Sequence, residues 1–395
     1  MFLFLILISV EVLTFAALRQ HFYDKSLPKY FILSTFNTAV SLWLWILFFK
    51  ISLYKGIFDT PGHVWLLMNF NGLLCAVVFP RILLIFFHFT GKFIKIKTGN
   101  HIRSLTNAGL IIFLAVFTIS AIGTIKGRFN FKTEEFTIKV KGLNKDLDGL
   151  KIVQMSDLHL ASFYHHQETL QRVMEKVNSY EPDLIINTGD FVTYGWREFD
   201  RFDTILCNAK SRLGNYAVLG NHDFGTYHPF YTEADKKNNV LRMNQMISSS
   251  GYKVLNDDFT IVKLGSAEIA LMGVITMGRF PDIIHGDLGK ASEIPDSTDL
   301  KILICHDPNQ WEDDVIGKRD IVLTIAGHTH GFQMGILTKK FRWSPAEYFY
   351  PRWNGLYNEG DQFLVVNRGL GVLGIPFRIW MPPEITVIRI LSDQV

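Results

Sequence analysis

Five short apolar runs between residues 151 and 326 most constrain how this chain can fold. They occupy residues 151–155, 183–188, 216–219, 301–305 and 321–326, and each is followed within a few positions by Asp, His or Asn. Runs of this length predict buried strands. In an open α/β fold such strand ends lie along one rim of a sheet, where ligands bind. We therefore expect the polar residues after these strands to share one site.

The residues at the predicted rim carry carboxylate, imidazole and amide groups and no thiolate. The candidate metal ligands are Asp157, His159, Asp190, Asn221, His306, His328 and His330. Such donors suit a divalent ion such as manganese, iron or zinc, and their number would fill two coordination spheres that share one carboxylate. Two ions about 3.5–4 Å apart can bind the attacking and leaving oxygens of a phosphoryl displacement and lower the pKa of a bridging water. The pattern therefore indicates phosphoester hydrolysis.

The order of the motifs resembles that of the calcineurin-like metallophosphoesterase superfamily. Asp-x-His, Gly-Asp, Gly-Asn-His-Asp, a single His after a strand and Gly-His-x-His follow one another, and the resemblance covers roughly residues 136–395. Each motif alone is common at strand ends and turns. All five in this order, each after an apolar run, are far less expected by chance.

The resemblance implies a role for each matched residue. Asp157, His159 and His330 would bind the first metal, Asp190 would bridge the two ions, and Asn221, His306 and His328 would hold the second. His222, the His of Gly-Asn-His-Asp, would not be a ligand. It would face the phosphate and protonate the leaving oxygen or stabilise its charge, with Asp223 orienting it.

Residues 367–378, followed by Pro382-Pro383-Glu384-Ile385, narrow the resemblance. They are similar to the subgroup with N-terminal membrane segments or export signals, which includes enzymes suspected of acting on phospholipids. Phe332 is a departure, because that subgroup usually continues Gly-His-Thr-His-Gly with a second Gly. The change leaves the ligands intact and could reshape the pocket wall.

The composition points to a membrane part, because 48% of the 395 residues are hydrophobic and 33 are Phe. A helix needs about 20 apolar residues to cross a bilayer, and four segments qualify: 1–18, 30–49, 63–89 and 108–125. The first is interpreted as a span because no basic region precedes it. We predict a transmembrane region of about four helices at 1–125, a connector at 126–135 and a phosphoesterase domain at 136–395.

Basic residues in the short loops predict the orientation of the spans. The first loop holds Arg19, Lys25 and Lys29, the third holds Lys92, Lys95, Lys97 and Arg103, and the second holds only Lys50 and Lys55. The first and third loops should be cytoplasmic, which places the phosphoesterase domain outside the inner membrane. Lys126, Arg128 and Lys132, just after the last span, argue the other way.

Two ionisable residues, Glu11 and Arg81, fall within the predicted spans. The favoured interpretation is that Arg81 snorkels toward the basic loop and Glu11 faces a polar helix interface. The alternative is a direct Glu11–Arg81 pair. The three cysteines cannot form a disulfide framework and are interpreted as free thiols. The net charge of +3 is too small to indicate a nucleic-acid partner.

The remaining periodicities predict the fold class. Helices are predicted at 167–179, 199–213 and 233–248, and further strands at 136–140, 252–255, 259–264, 269–274, 363–366 and 385–390. Helices around an early mixed sheet and a second, later sheet favour an α/β (α+β) fold, a four-layer α/β/β/α sandwich. The resemblance implies the same architecture.

The loop at 341–357 is rich in aromatic residues and Arg. It either rests at a headgroup interface and guides an amphipathic phosphate ester to the site, or packs against the sheet edge. Arg368 and Arg378 are candidate phosphate contacts on grounds of charge alone.

The leading hypothesis is a membrane-anchored dimetal phosphoesterase, a phosphodiesterase by preference. It would hydrolyse a lipid or cell-envelope phosphate ester by attack of metal-activated hydroxide. One alternative is a pyrophosphohydrolase of a nucleotide-linked lipid precursor that faces the cytoplasm. Another is a membrane transport or receptor protein with an accessory metal domain. The sequence leaves the metal identity and oligomeric state open.

Overall fold

The computed structural model describes residues 2–98, 103–279, 282–338 and 340–393. The chain forms two compact units. The helical unit comprises Met1–Gly56, Leu66–Lys126 and Gly374–Phe377, and the sheet unit comprises Ile57–Trp65, Gly127–Leu373 and Arg378–Val395. The short segment Ile57–Trp65 belongs to the sheet unit, although the residues before and after it belong to the helical unit. Conversely, Gly374–Phe377 belongs to the helical unit, although the residues before and after it belong to the sheet unit.

The helical unit contains long apolar helices. They are α1 (Phe2–Phe22), α2 (Leu27–Ser52), α3 (Pro61–Leu73), α4 (Phe79–Thr98) and α5 (Arg103–Ile125), with a π-helical turn at Leu74–Val78 between α3 and α4. Four stretches are long and apolar enough to cross a membrane: Phe2–Phe22, Leu27–Ser52, Pro61–Lys97 and Arg103–Phe129. The sequence predicted a span within or overlapping each of these stretches, and the third is long because α3 and α4 run on through the π turn.

Glu11 and Arg81, the two ionisable residues noted within the predicted spans, both find partners on α2. The Arg81 guanidinium is buried and donates to the carbonyl of Asn37 (3.1 Å) and the hydroxyl of Ser41 (2.9 Å). The Trp45 indole N–H donates to Glu11 (2.7 Å). Burial of a polar group costs free energy unless it is hydrogen-bonded, and α2 supplies the bonds. Snorkelling of Arg81 was therefore a wrong prediction, and the polar interface of Glu11 is confirmed.

The sheet unit contains two six-stranded sheets. Its strands are β1 (Lys132–Val140), β2 (Lys151–Met155), β3 (Leu184–Asn187), β4 (Asn215–Ala217), β5 (Tyr252–Val254), β6 (Asp258–Leu264), β7 (Ala267–Gly273), β8 (Thr276–Arg279), β9 (Asp282–His285), β10 (Leu300–Ile304), β11 (Leu323–Ala326), β12 (Ile336–Leu337), β13 (Arg342–Trp343), β14 (Gly355–Glu359), β15 (Gln362–Val366) and β16 (Glu384–Ser392). The first sheet has the order β1-β16-β2-β3-β4-β5 and the second β14-β15-β11-β10-β7-β6. Strands β8 and β9, and β12 and β13, form two small hairpins.

Helices cover the outer faces of the two sheets. They are α6 (Gln167–Asn178), α7 (Asp203–Leu206), α8 (Glu233–Ser249) and α9 (Leu288–Ala291). Alternate residues of one strand face different layers, because successive side chains of a strand point to opposite faces. Ile152 belongs to the core between the sheets, and its neighbour Val153 packs with Val173 of α6. Leu288 and Trp311 cover the second sheet. The predicted α/β/β/α sandwich is confirmed.

The strands that precede the predicted ligands are parallel neighbours within each sheet, so their carboxyl ends lie along the same edge of that sheet. Strands β2, β3 and β4 pair in parallel in the first sheet, and β10 pairs in parallel with β11 in the second. The expectation of one rim on one sheet was therefore wrong. A run that is apolar on both faces fits either sheet of a sandwich, and its sequence does not show which one it joins.

Two helix predictions are confirmed by α6 and α8, and the third is wrong. A 3-10 turn at Trp196–Phe199 ends where the predicted helix was to begin, and within residues 199–213 the only α-helix is the short α7. Phe199, Phe202 and Leu206 are buried with helical spacing, but Asp200 has a φ of 38°, which a right-handed helix does not allow. Strand β1 starts at Lys132 instead of Phe136, because it pairs with β16 from Lys132 onward.

Candidate metal centre

Six of the seven predicted ligands form two groups that share one carboxylate. The ligand atoms of Asp157, His159, Asp190 and His330 lie within 4.8 Å of one another, and those of Asp190, His306 and His328 form the second group under the same limit. Asp190 follows β3, a central strand of the first sheet, and therefore lies where both sheets can supply partners. Asp190 is thus the one residue common to both groups.

The seventh predicted ligand, Asn221, lies beside this shared carboxylate. The backbone N–H of the next residue, His222, donates to Asp190 Oδ1 (2.9 Å). The Asn221 side-chain N–H donates to the Tyr227 hydroxyl (2.8 Å). This hydrogen bond fixes the orientation of the side-chain amide. Asn221 Oδ1 is buried and has no hydrogen-bond partner among residues 2–98, 103–279, 282–338 and 340–393. Its oxygen therefore remains available for a cation.

The donor atoms of the centre converge at short distances. His330 Nε2 lies 3.2 Å from Asp157 Oδ1, and His306 Nε2 lies 3.1 Å from Asp190 Oδ2. His159 Nε2 lies 3.2 Å from His330 Nε2. Within the part of the chain that the structure describes, Asp157 Oδ1 and His306 Nε2 lack a hydrogen bond. Buried polar atoms are nearly always satisfied, so this donor set fits divalent metal ions.

Hydrogen bonds behind the imidazoles hold them in place. His306 Nδ1 lies 2.7 Å from the Thr188 carbonyl, to which it donates. His159 Nδ1 lies 3.2 Å from the Thr193 hydroxyl. A metal-binding His usually uses its second ring nitrogen in this way, which fixes the ring and frees Nε2 as a ligand. Thr188 and Thr193 therefore support the metal centre, although the sequence analysis did not single them out.

Five candidate ligands have left-handed backbone conformations. The φ angles are 49° at Asp157, 39° at His159, 57° at Asp190, 73° at His328 and 51° at His330. Non-glycine residues seldom adopt positive φ, and such strain persists where the surrounding structure enforces it, often at functional sites. The strand-end backbone is therefore bent to aim these side chains at one point.

Asp223 maintains this bent backbone. Its carboxylate accepts the backbone N–H groups of Asp190 (2.8 Å), Phe191 (2.9 Å), Val192 (3.2 Å) and Gly220 (3.0 Å). The sequence assigned to Asp223 the orientation of His222. In the structure, however, His222 Nδ1 donates to the Thr193 carbonyl (2.7 Å). Thr193 has that role, and Asp223 instead stabilises the loop that carries Asp190.

Two glycines of the motifs leave room for the carboxylates. A Cβ atom on Gly220 would lie 2.9 Å from Cγ of Asp190, and one on Gly327 would lie 2.6 Å from Oδ2 of Asp157. Both distances are too short for contacts between atoms that are not bonded. Any side chain at either position would therefore displace a candidate ligand.

The charges and burial of the centre favour the metal-binding protonation states of Asp157, His159 and His328. Burial acts to raise the pKa of Asp157, but His330 and His306 outweigh it, and that pKa lies below its usual range. Burial lowers the pKa of His159, and it lowers that of His328 to about 4. Ionised carboxylates and neutral imidazoles are the forms that bind metal.

His306 shows that the centre attracts a cation. Burial acts to lower the pKa of His306, yet the carboxylates of Asp190 and Asp157 raise it to about 10. The two carboxylates thus stabilise a positive charge at His306. A divalent ion would supply more charge at the same place.

The two predicted phosphate contacts, Arg368 and Arg378, are buried and already bonded. Arg368 donates to Asn354 (2.8 Å) and is ion-paired with Glu134 and Glu384 (both 3.0 Å). Arg378 donates to backbone carbonyls, including that of Gly371 (2.7 Å). The prediction of phosphate binding was wrong, because a buried guanidinium must satisfy its five donors locally.

Two tyrosines border the centre. Tyr350 Oη lies 2.7 Å from His328 Nε2, and the sequence analysis noted Tyr350 only as one ring of an aromatic loop. The Tyr227 ring stacks on His222 with centroids 4.2 Å apart. Tyr227 lies five positions after His222, and that proximity was the only sequence signal for it.

Asp59 belongs to the sheet unit although it lies in the loop before α3. Its buried carboxylate accepts from Arg197 Nη1 (3.2 Å) and from the Tyr231 hydroxyl (2.9 Å). Glu198, the residue after Arg197, accepts hydrogen bonds from the backbone N–H groups of Thr193, Tyr194 and Gly195. The segment Ile57–Trp65 therefore supports the loop that contains Thr193. Sequence patterns gave no sign of this contact between residues so far apart in the chain.

Comparisons with known proteins agree on one family. The profile of the calcineurin-like phosphoesterases matches residues 150–332. The uncharacterised metallophosphoesterase YkuE of Bacillus subtilis is 30% identical over 272 residues, which cover 67% of this chain and 86% of YkuE. A transmembrane protein with metallophosphoesterase domain from Danio rerio is 28% identical over 348 residues, 83% of this chain and 74% of that protein. The UDP-2,3-diacylglucosamine pyrophosphatase LpxG of Chlamydia muridarum is 28% identical over 294 residues, 62% of this chain and 85% of LpxG.

Proposed function

The chain belongs to the calcineurin-like phosphoesterase family and is a metal-dependent phosphoester hydrolase, and we propose that it is a membrane-anchored dimetal phosphodiesterase acting on a lipid or cell-envelope phosphate ester. The observation that carries the proposal is the pair of ligand groups that share Asp190. A shared carboxylate is the arrangement needed to hold two ions side by side.

The residues of the centre divide between two ions. Asp157, His159 and His330 would hold the first ion, Asn221, His306 and His328 would hold the second, and Asp190 would bridge them. The ligand types suit manganese, iron or zinc. Two such ions would neutralise charge on the phosphate and lower the pKa of a bound water.

His222 is the best candidate for the acid that assists the leaving group. Its Nδ1 donates to the Thr193 carbonyl (2.7 Å), so Nε2 is the nitrogen left for a substrate. The Tyr227 ring limits its rotation, and its own ring lies 5.1 Å from that of His159, centroid to centroid. A proton on Nε2 would move to the departing oxygen. The Thr193 carbonyl would stabilise the cationic ring before that transfer.

The loop charges and the two units together support an extracytoplasmic sheet unit. The end of the loop between α2 and α3 and the start of α3 form the segment Ile57–Trp65 of the sheet unit, and the rest of that unit follows α5. Two spans separate these pieces, so both emerge on the same side of the membrane. The basic first and third loops would then lie in the cytoplasm.

A native cysteine provides the test of sidedness. Cys207 is exposed in the sheet unit, and Cys75 lies in the helical unit. In a Cys75→Ser variant, a membrane-impermeant maleimide should label Cys207 in intact spheroplasts. Labelling only after lysis would place the sheet unit in the cytoplasm.

The activity is tested on the full chain in detergent. Hydrolysis of bis(p-nitrophenyl) phosphate and p-nitrophenyl phosphate is measured with manganese, with zinc and with chelator, for wild type, Asp190→Asn and the exposed control Asp361→Asn. We expect metal-dependent diester hydrolysis that only Asp190→Asn removes. Faster monoester hydrolysis would overturn the diester assignment, and activity that survives both chelation and Asp190→Asn would overturn the metal mechanism.

A second candidate is a pyrophosphohydrolase of a nucleotide-linked lipid. The similarity to the UDP-2,3-diacylglucosamine pyrophosphatase LpxG favours it. Hydrolysis of UDP-2,3-diacylglucosamine at rates above those for the nitrophenyl diester, together with a Cys207 that is labelled only after lysis, would establish this candidate over the first.

A further inference from the structure

Two phenylalanine rings stand half-exposed next to the metal centre. Phe332 is 48% exposed and Phe349 is 50% exposed. Their rings are nearly parallel, with an angle of 6° between planes and 6.5 Å between centroids. We call this pair the aromatic shelf. Exposed apolar surface that is grouped in this way often marks a binding site.

The shelf is joined to both ligand groups of the centre. Phe332 comes two residues after His330, a member of the first group. Phe349 directly precedes Tyr350, whose hydroxyl lies 2.7 Å from Nε2 of His328 in the second group. A phosphorus atom held at the centre would therefore have the shelf beside it, where an organic substituent could lie.

The backbone of the shelf is fixed. Gly331, Phe332 and Gln333 all have positive φ, between 52° and 56°. Residues with a side chain seldom adopt this conformation, so the surrounding contacts must enforce it at Phe332 and Gln333. The Phe332 N–H donates to the Thr329 carbonyl (2.8 Å), and the Ser344 hydroxyl donates to the Gly331 carbonyl (2.7 Å). Ser344 lies five residues before Phe349, and this bond ties the two halves of the shelf together.

We propose that the aromatic shelf binds the alkyl chain of a lipid phosphoester whose phosphate lies at the metal centre. The inference rests on the proposed function and names the part of the substrate that the shelf recognises. Phenyl rings carry no polar group, so they select an apolar chain over a sugar or a second phosphate. The residues that the structure describes include four helical stretches apolar enough to cross a membrane, so lipids would be the protein's nearest source of such substrates.

The test uses three diesters with the same leaving group: p-nitrophenyl ethyl phosphate, p-nitrophenyl dodecyl phosphate and the p-nitrophenyl ester of thymidine 5′-phosphate. The full chain is assayed in detergent as wild type and as Phe332→Ser/Phe349→Ser. We expect kcat/KM for the dodecyl ester to fall roughly 10-fold or more, the size of effect that lost apolar pocket contacts produce. The ratio of the dodecyl to the ethyl rate should therefore fall, because the ethyl ester has no long chain for the shelf to bind.

Two further variants separate the shelf from general surface effects. Phe332→Leu/Phe349→Leu keeps the surface apolar and should retain the preference for the dodecyl ester. Leu241→Ser/Ile284→Ser removes apolar side chains that are 63% and 56% exposed elsewhere in the sheet unit. This control should leave the ratio of dodecyl to ethyl rates unchanged.

Each remaining outcome contradicts the proposal in a distinct way. An unchanged rate ratio in the Ser double variant would show that the shelf does not bind the chain. A loss confined to the thymidine ester would show that the rings stack on a nucleobase. A loss seen in lipid nanodiscs but not in detergent would assign the shelf to the bilayer surface. No turnover of any ester by wild type would overturn the proposed function itself.

Discussion

The carboxylate of Asp59 lies 3.2 Å from the guanidinium of Arg197, 138 positions later in the chain. Arg197 precedes Glu198, whose carboxylate fixes the backbone at Thr193. Thr193 in turn contacts His159 through its hydroxyl and His222 through its carbonyl. A loop between two apolar helices is thus connected to the metal centre by successive contacts.

Replacement of Asp59 should weaken both stability and turnover. Asp59→Ala leaves the Tyr231 hydroxyl and part of the Arg197 guanidinium without an acceptor. We expect the free energy of unfolding to fall by about 2 kcal/mol. Thermal unfolding of the full chain in detergent should shift downward, and diester hydrolysis should fall. Asp24→Ala removes an exposed acid from the loop between α1 and α2 and serves as the control. Equal behaviour of the two variants would show that the Asp59 contact does not support the centre.

Replacement of His222 should separate catalysis from metal binding. His222→Ala removes the proposed acid, which typically costs about 100- to 10,000-fold in rate. Metal content, measured by mass spectrometry of the purified protein, should stay at the wild-type level because His222 is not a proposed ligand. Loss of metal from this variant would instead make His222 a ligand.

A methyl group at Gly220 should disrupt the bridging carboxylate. The new Cβ would lie 2.9 Å from Cγ of Asp190, and a displacement of about 1 Å in an active site can cost roughly 100-fold in rate. Gly220→Ala should lose bound metal as well. Gly251→Ala is the control for an added methyl group without a clash, since Gly251, unlike Gly220, has a positive φ and its Cβ would meet nothing within 4 Å. That variant should lose stability and keep its metal.

Metal removal should destabilise the sheet unit. A ligand at 100 times its dissociation constant stabilises a protein by about 2.7 kcal/mol, so chelation should lower the unfolding temperature and manganese or zinc should restore it. Asn221→Ala should show a smaller metal-induced shift. Asn244→Ala, an amide on α8, should respond like wild type. A full response from Asn221→Ala would remove Asn221 from the proposed ligands.

Local patterns predicted the parts of the fold that depend on neighbouring residues. The run 151–155 is β2 to the residue, and α6 buries the predicted face of Leu170, Val173, Met174 and Val177. The grouping of Asp157 with His330 was predicted because the motif order is distinctive. The strand and the helix need only short stretches of sequence to specify them, whereas the grouping of Asp157 with His330 came from the family resemblance.

The errors concern contacts between distant parts of the chain. Arg368 was interpreted from its charge alone, but its partners Glu134 and Glu384 lie on other strands. The ring of His222 is held by the carbonyl of Thr193, and backbone carbonyls leave no trace in a sequence. One further error is local: the predicted helix at 199–213 has a φ of 38° at Asp200, and only Asp203–Leu206 are α-helical.

The membership of Ile57–Trp65 in the sheet unit affects how the protein can be made. During synthesis this segment emerges before any strand of the unit exists, and β16, which lies between β1 and β2, emerges last. The hydrolase fold is therefore complete only after the apolar helices have been placed and the final strand has been released. A shortened protein that starts after α5 would lack the buried carboxylate of Asp59, which supports the loop at Thr193. The helices and the sheet unit therefore have to be made as one polypeptide.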